Sequence, residues 1–223
     1  MKLIPAIDIK NGKVVLPQGG NRDNYKEIST IFSIPSDPVK FIDYLHSLYH
    51  FNTIYIADLD SIRDFISNNI VINEITETFK KTNFLIDNGV VKQQEINNFS
   101  KINCTQIIAT ETFSDYRYLI DNKINNYILS LDFKNKEVLC KNSDFKILKP
   151  KKVICMNMDN IGKKNGVNFE NIKETRMYFP ESEIIFSGGI KNHKDILQLS
   201  KNNFNEIMLM TAIIENKILY NEL

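Results

Sequence analysis

The hydrophobic residues of this chain gather in short continuous runs and seldom alternate with polar residues. Eight such runs, rich in Ile, Leu and Val, predict β-strands at residues 3–9, 53–59, 83–87, 105–110, 127–133, 152–157, 183–187 and 206–211. Strands that are apolar on both faces are typical of a parallel sheet covered by helices. The pattern therefore predicts a buried parallel sheet.

Amphipathic segments between these runs predict helices at residues 38–49, 70–81, 92–102, 114–122, 169–178, 193–201 and 215–220. The first helix begins at Ser36-Asp37-Pro38, where a capping side chain precedes a proline in the first turn. Before the sixth strand, residues 144–148 supply one or two turns at most. This alternation predicts an α/β fold, a (β/α)8 TIM barrel with a short or missing fifth helix. An open doubly wound sheet is the structural alternative.

Four segments of the first half recur, in the same order, in the second half. The pairs are residues 6–15 with 130–139, 56–62 with 155–161, 85–90 with 185–190, and 108–111 with 209–212. Such self-similarity indicates a four-plus-four internal duplication, which an open sheet does not explain. We expect a single domain over residues 1–223, with half-barrels at about 1–125 and 126–223.

Composition agrees with one globular enzyme-sized domain. The 223 residues are 43% hydrophobic, which is enough for a large core, and the net charge of +1 predicts neither a nucleic-acid partner nor a membrane surface. No apolar run approaches the ~18 residues that span a bilayer, and no signal peptide is recognisable. Three scattered cysteines are typical of a reducing compartment. We expect a cytoplasmic protein, monomeric or homodimeric, with a small-molecule partner.

Asp8 and Asp132 occupy equivalent positions in the duplicated halves, at the carboxyl ends of the first and fifth strands. The active site of a barrel lies at these ends, and strands one and five are opposite each other. Two opposed carboxyl groups suit general acid–base chemistry on a molecule held between them. The alternative is that each carboxylate caps its own loop or pairs with Lys10 or Lys134.

Two duplicated glycine turns are candidate phosphate sites. A glycine-rich turn from a strand into a helix presents backbone N–H groups to an anion, although glycine is also common in turns without ligands. The candidate residues are Gly89 and Thr110 in the first half, and Ser187, Gly188, Gly189 and Thr211 in the second. Two turns predict two anion sites.

The first half is longer because of an insertion at residues 17–36, whose loop contains Gly20 and Arg22. Arg22 or Lys26 can close over a phosphate, or the loop is simply solvated. Asp58, at the end of the second strand, is a further candidate binding residue. Asp58 and Asp60 form a possible metal-ligand pair, but strand alternation would send their carboxylates to opposite sides. No metal site is predicted.

Several of these segments resemble the HisA/HisF family of histidine biosynthesis. They are residues 4–15, 57–60, 131–132, 162–168 and 187–190. The resemblance covers the whole chain and is nearest to HisA-related archaeal proteins of unassigned substrate. It implies an Amadori rearrangement, aldose to ketose, of a substrate with a phosphate at each end, without cofactor. It also implies that Asp8 is the general base and Asp132 the general acid.

The chain departs from that family at several ligand positions. Met156 stands where HisA enzymes carry a catalytic Thr, and Ile161 where they carry an Asp. The third strand ends in Asp87-Asn88-Gly89 in place of three glycines, and Met210 replaces a glycine after the eighth strand. We therefore expect the same reaction type on a different phosphorylated sugar amine. The alternatives are a non-catalytic or regulatory barrel that binds a phosphorylated metabolite, and a HisF-like lyase or cyclase subunit.

Overall fold

The structure, a computed structural model, describes residues 1–17, 22–64, 66–96, 103–163 and 165–222. Its eight barrel strands are β1 (Lys2–Lys10), β2 (Thr53–Asp58), β3 (Asn83–Asp87), β4 (Cys104–Ala109), β5 (Tyr127–Lys134), β6 (Lys152–Asn157), β7 (Glu183–Ser187) and β8 (Glu206–Leu209). Each pairs in parallel with the next, and β8 pairs with β1, with Lys2 opposite Glu206. The eight predicted strands are confirmed, and closure excludes the open sheet.

The described residues form seven α-helices, α1 (Pro38–Leu48), α2 (Leu59–Asp64), α3 (Asn69–Thr78), α4 (Tyr116–Asp121), α5 (Phe169–Tyr178), α6 (His193–Lys201) and α7 (Thr211–Ile214). Asp37 caps α1 by accepting a hydrogen bond from the Lys40 amide, as its sequence predicts. A 3-10 helix at Ser143–Ile147 stands in the place of the fifth helix. The short fifth helix is therefore confirmed.

Two predicted helices differ from the structure. The described part of residues 92–102 contains a 3-10 turn at Gln93–Glu95 and no α-helix, and residues 97–102 lie outside the described part. The helix predicted at 215–220 is wrong, because α7 begins directly after β8 and ends at Ile214. Asn216 has a φ of 53°, in the left-handed region, which a right-handed helix cannot continue through.

The duplication is visible in two equivalent hairpins. After β1, Asn11 and Gly12 both have positive φ and turn the chain into an antiparallel strand at Lys13–Leu16. After β5, Asn135 and Lys136 make the same kind of turn into Glu137–Val138. The Asn11 amide donates to Asp60 Oδ2 at 2.6 Å, and the Asn135 amide donates to Asp159 Oδ2 at 2.7 Å. The four-plus-four arrangement is thus repeated down to single hydrogen bonds.

Strand register places the repeat residues at equal heights in the barrel. In the first half, Asp8 lies opposite Ala57, and Ala57 lies opposite Asp87. In the second half, Asp132 lies opposite Met156, and Met156 lies opposite Ser187. Parallel register fixes which side chains share a layer, because successive residues point to opposite faces. Each half therefore contributes an equivalent row of positions to the mouth of the barrel.

Alternation along β1 explains why its carboxylate faces inward. Ile4 packs in the barrel interior with inward residues of the other strands, whereas Ile7 and Ile9 pack in the shell between barrel and helices. Asp8 lies four residues after Ile4 on the same strand. Because side chains alternate between the two faces, both point inward. The interior below it is filled by apolar side chains, which leaves the cavity above that layer, at the carboxyl ends of the strands.

Candidate active site

A cavity opens at the carboxyl ends of the barrel strands, where the fold predicts the active site. The predicted site residues that line it are Asp8, Arg22, Asp132, Ser187, Gly188, Gly189 and Thr211. Three others, Asp58, Gly89 and Thr110, are not part of its lining. Gly20 lies outside the described residues.

Asp8 and Asp132 face this cavity from opposed strands, since three strands separate β1 from β5 on either side. Asp132 is 4% exposed and accepts hydrogen bonds from Ser130 Oγ at 2.7 Å and from the Glu111 amide at 3.2 Å. The hydrogen bonds among the described residues include none to the Asp8 carboxyl group, and Lys10 donates to the Arg22 carbonyl oxygen. Asp8 is thus left free for a ligand, while Asp132 is held in place.

Both carboxyl groups titrate near neutrality. Burial raises the pKa of Asp8 to about 7; the nearby Arg22 guanidinium opposes the rise and Asp87 adds to it. Burial raises the pKa of Asp132 to about 8; Glu111 and Asp87 add to the rise, and the hydrogen bond from Ser130 opposes it. Asp132 consequently keeps its proton to higher pH than Asp8. Such a pair can supply one acid and one base at the same pH.

Arg22 lies across the mouth of the barrel. It comes from a 3-10 turn in the first-half insertion, and its guanidinium donates to both carboxylate oxygens of Glu111, at 2.9 and 2.7 Å. Bidentate pairs of this kind have a defined geometry and are stronger than single contacts. Lys26, the other predicted cation, is exposed in a short strand at Lys26–Glu27. Of these two, Arg22 is the one that reaches the cavity.

Asp87 and Glu111 line the cavity although the sequence analysis did not select them. Asp87 accepts hydrogen bonds from Tyr55 Oη at 2.9 Å and from the Gly89 amide at 3.1 Å, and burial raises its pKa. The repeat carried a signal for Asp87, because it aligns with Ser187. Glu111 directly follows Thr110 in the fourth repeat unit. The first-half wall is therefore more acidic than predicted.

The second-half turn requires glycine at two successive positions. Gly188 and Gly189 have φ values of 99° and 92°, a region that side chains rarely adopt. A Cβ at Gly188 would also collide with the Asn157 carbonyl oxygen, and one at Gly189 would lie 2.6 Å from the Gly166 carbonyl oxygen. Among the described residues, no hydrogen bond outside the strand ladders uses the Gly189 amide. The turn thus keeps an unpaired donor beside the cavity.

Residues 2–219 match the model of the histidine biosynthesis protein family. The chain belongs to this family. The resemblance seen in its motifs is confirmed, and the match spans both half-barrels, so the cavity described above is the mouth of a histidine biosynthesis family barrel.

Curated members of the family align along nearly the full length of this chain. An uncharacterized protein of Methanocaldococcus jannaschii is 30% identical over 220 residues, which are 96% of this chain and 93% of that protein. The 1-(5-phosphoribosyl)-5-((5-phosphoribosylamino)methylideneamino)imidazole-4-carboxamide isomerase of Brachyspira hyodysenteriae is 27% identical, with 98% and 95% of the two chains covered. The isomerase of the same name from Buchnera aphidicola subsp. Cinara cedri is 25% identical, with 99% and 96% covered.

In this histidine biosynthesis family barrel, Asp58 lies outside the cavity and has a structural role. Asp58 is fully buried and accepts from the Asn68 amide at 2.9 Å and from Asn68 Nδ2 at 2.6 Å. Asp60 accepts from the same Nδ2 at 2.7 Å. The expectation that these two carboxylates point apart is wrong, because Leu59 begins α2 and strand alternation stops at Asp58. Both serve to join α2 to the loop before α3.

Thr110 has a comparable internal role, since its Oγ1 accepts from the Asp132 amide at 3.2 Å and the residue is fully buried. It holds the strand that carries Asp132 and does not face the cavity. Within the described ranges, no cluster of three or more His, Cys, Asp or Glu side chains is arranged to hold a metal ion. Nor is any helix there long and apolar enough to cross a membrane.

Proposed function

We propose that this protein is an aldose–ketose isomerase that acts on a phosphorylated sugar amine by an Amadori-type rearrangement. The observation that carries the proposal is the pair of carboxyl groups, Asp8 and Asp132, which face one cavity from opposed strands. Two relatives of comparable length are named as isomerases of a phosphoribosylamino compound. Their reaction type suits the chemistry that this pair can perform.

The rearrangement needs an acid on one side of the sugar and a base on the other. Asp132, with its pKa raised to about 8, holds a proton at neutral pH and donates it to the ring oxygen as the furanose opens. Asp8, with a pKa of about 7 and a guanidinium nearby, is partly ionised and removes the proton from C2. The resulting enaminol becomes the ketose when C1 gains a proton and the C2 hydroxyl loses one to form the carbonyl.

The second-half turn is the proposed phosphate site. Ser187 and Thr211 line the cavity beside the free amide of Gly189. Backbone donors arranged in such a concave turn bind phosphate oxygens without needing a cationic side chain. A phosphate held there places the sugar carbons toward β1 and β5, between the two carboxyl groups.

Turnover of a small substrate panel tests this function. We expect conversion of aldose to ketose with at least one N-substituted 5-phosphoribosylamine, followed by 13C NMR as loss of the C1 aldose signal and gain of a C2 carbonyl signal. The substrate named for the relatives belongs in the panel. Failure to convert any member, in a protein that still binds inorganic phosphate, would contradict the isomerase proposal.

The pH dependence of kcat/KM follows from the two raised pKa values. Activity should be highest between about pH 7 and 8, because Asp8 is protonated below this window and Asp132 loses its proton above it. The matched control is Asp132→Asn, whose residual activity should no longer fall on the alkaline side. A profile that stays flat from about pH 5 to pH 9 would refute the assignment.

A non-catalytic binding barrel is the second candidate, and one observation favours it. Met156 and Met210 both line the cavity, and the family resemblance implies a catalytic Thr and a glycine at these positions. In that case the wild-type protein binds phosphorylated sugars without turning them over. An Asp132→Asn variant would then retain the wild-type affinity for phosphorylated sugars. It would lose no activity, because the wild-type protein has none.

A further inference from the structure

The two halves of the barrel differ at the position where a phosphate would lie. Register and repeat place Asp87 at the end of β3 where Ser187 stands at the end of β7. At this position the second half has a neutral hydroxyl group, on Ser187, and the first half has an acidic group, on Asp87. The two turns therefore present different chemistry to an anion.

In the second half, the wall formed by β6, β7 and β8 carries no acidic side chain among the described lining residues. The Gly189 amide has no acceptor among the described residues there. An anion at this turn meets hydrogen-bond donors and no opposing carboxylate. This half remains able to bind a phosphate.

In the first half, the protein's own carboxylate takes the corresponding donor. The Gly89 amide donates to Asp87 Oδ1 at 3.1 Å, and Tyr55 donates to Oδ2 at 2.9 Å. Gly89 does not line the cavity. The turn that would receive a second phosphate is thus already filled from within the chain.

The surrounding charges act in the same direction. Asp8, Glu111 and Asp132 line the same cavity as Asp87. Arg22 is the one cationic side chain among the described lining residues, and both of its outer nitrogens are bound to Glu111. A doubly charged phosphate placed here would face carboxylates without a free cation.

We infer that the substrate carries a single phosphate, bound at the turn Ser187-Gly188-Gly189, and that its other end is a hydroxylated or cationic group bound beside Asp87 and Glu111. The inference rests on the proposed function in one respect, namely that the cavity is the substrate site. Carboxyl and carboxylate groups bind hydroxyls and ammonium or iminium nitrogens well, and they reject phosphate.

Calorimetric titration with a matched ligand pair tests the inference without turnover. The probes are ribulose 5-phosphate and ribulose 1,5-bisphosphate, which differ only in the second phosphate, with inorganic phosphate as a third ligand. We expect the monophosphate to bind the full chain at least about 10-fold more tightly than the bisphosphate. Equal or tighter binding of the bisphosphate overturns the inference, even if isomerase activity is found.

Variants assign the discrimination to the first-half turn. Asp87→Ser copies the second half, and we expect it to shift the ratio of the two affinities toward the bisphosphate by about 10-fold. Glu111→Gln should shift it several-fold in the same direction and serves if Asp87→Ser does not fold. Glu181→Gln, an exposed charge removal at the opposite end of β7, is the control and should leave the ratio unchanged.

The remaining outcomes separate this inference from the proposed function. An unchanged affinity ratio in both Asp87→Ser and Glu111→Gln overturns the role given to the acidic wall. Binding of none of the three probes overturns both the single-phosphate site and the phosphate turn of the proposed function. Tighter monophosphate binding in a protein without turnover supports the inference and rejects only the isomerase.

Discussion

Replacing Asp132 by asparagine should lower kcat by about 10²- to 10⁴-fold, the range for loss of a general acid or base. Asp8→Asn should cause a loss of similar size, because ring opening and C2 proton removal each need one of the two groups. Substrate affinity should change much less than kcat, since the proposed phosphate site is formed by other residues, at Ser187-Gly188-Gly189. Steady-state kinetics with the best substrate of the panel measure both effects.

The Asp132→Asn variant should keep its fold, which makes the test interpretable. The new amide oxygen can accept from the Glu111 amide, and the new amide nitrogen can donate to Ser130 Oγ, because a hydroxyl both donates and accepts. Glu181→Gln provides the control for loss of one negative charge at an exposed site. Retention of more than about a tenth of wild-type kcat in both aspartate variants would exclude the acid–base pair.

Replacing Asp58 by alanine should lower stability by about 3 kcal/mol, because each buried donor left without a partner costs about 1–3 kcal/mol. The change leaves the Ser61 and Asn68 amides without their acceptor, while Asn68 Nδ2 keeps its hydrogen bond to Asp60. For a chain of this size the loss corresponds to a fall in Tm of about 6–12 °C. Thermal unfolding followed by circular dichroism measures it.

If Asp58 were a ligand-binding residue, its loss would weaken phosphate binding and leave Tm unchanged. We expect neither result. Inorganic phosphate should bind Asp58→Ala within about threefold of wild type at a temperature where the variant is folded, because the residue does not line the cavity. The control is Asp64→Ala, which removes an exposed carboxylate from the same helix, α2. A large loss of phosphate affinity with unchanged Tm would restore Asp58 as a binding residue.

The strands and their order were predictable because burial on both faces leaves a local mark. The run at residues 127–133 is apolar at nearly every position, and the structure buries almost all of β5. The duplicated frame around Asp8 and Asp132 then set their strands opposite each other. Closure by the pairing of β8 with β1 could only be inferred from the strand count.

Helix ends were less predictable because they depend on single backbone conformations. The start of α2 at Leu59 and the left-handed Asn216 after α7 have no clear periodic signal over so few residues. The second predicted strand extended through Leu59, where α2 in fact begins, and this changed the prediction for two carboxylates. It made Asp58 and Asp60 look divergent, whereas both reach Asn68.

The sequence by itself determined the barrel, its duplication and the opposed pair of Asp8 and Asp132, because strand period and repeat order are properties of neighbouring residues. Only the tertiary structure decided the character of the first-half wall. Arg22 and Glu111 are 89 positions apart in the chain, and Tyr55 and Asp87 are 32 apart. Contacts of this kind form between residues far apart in the chain that only folding brings together, and no local pattern records them.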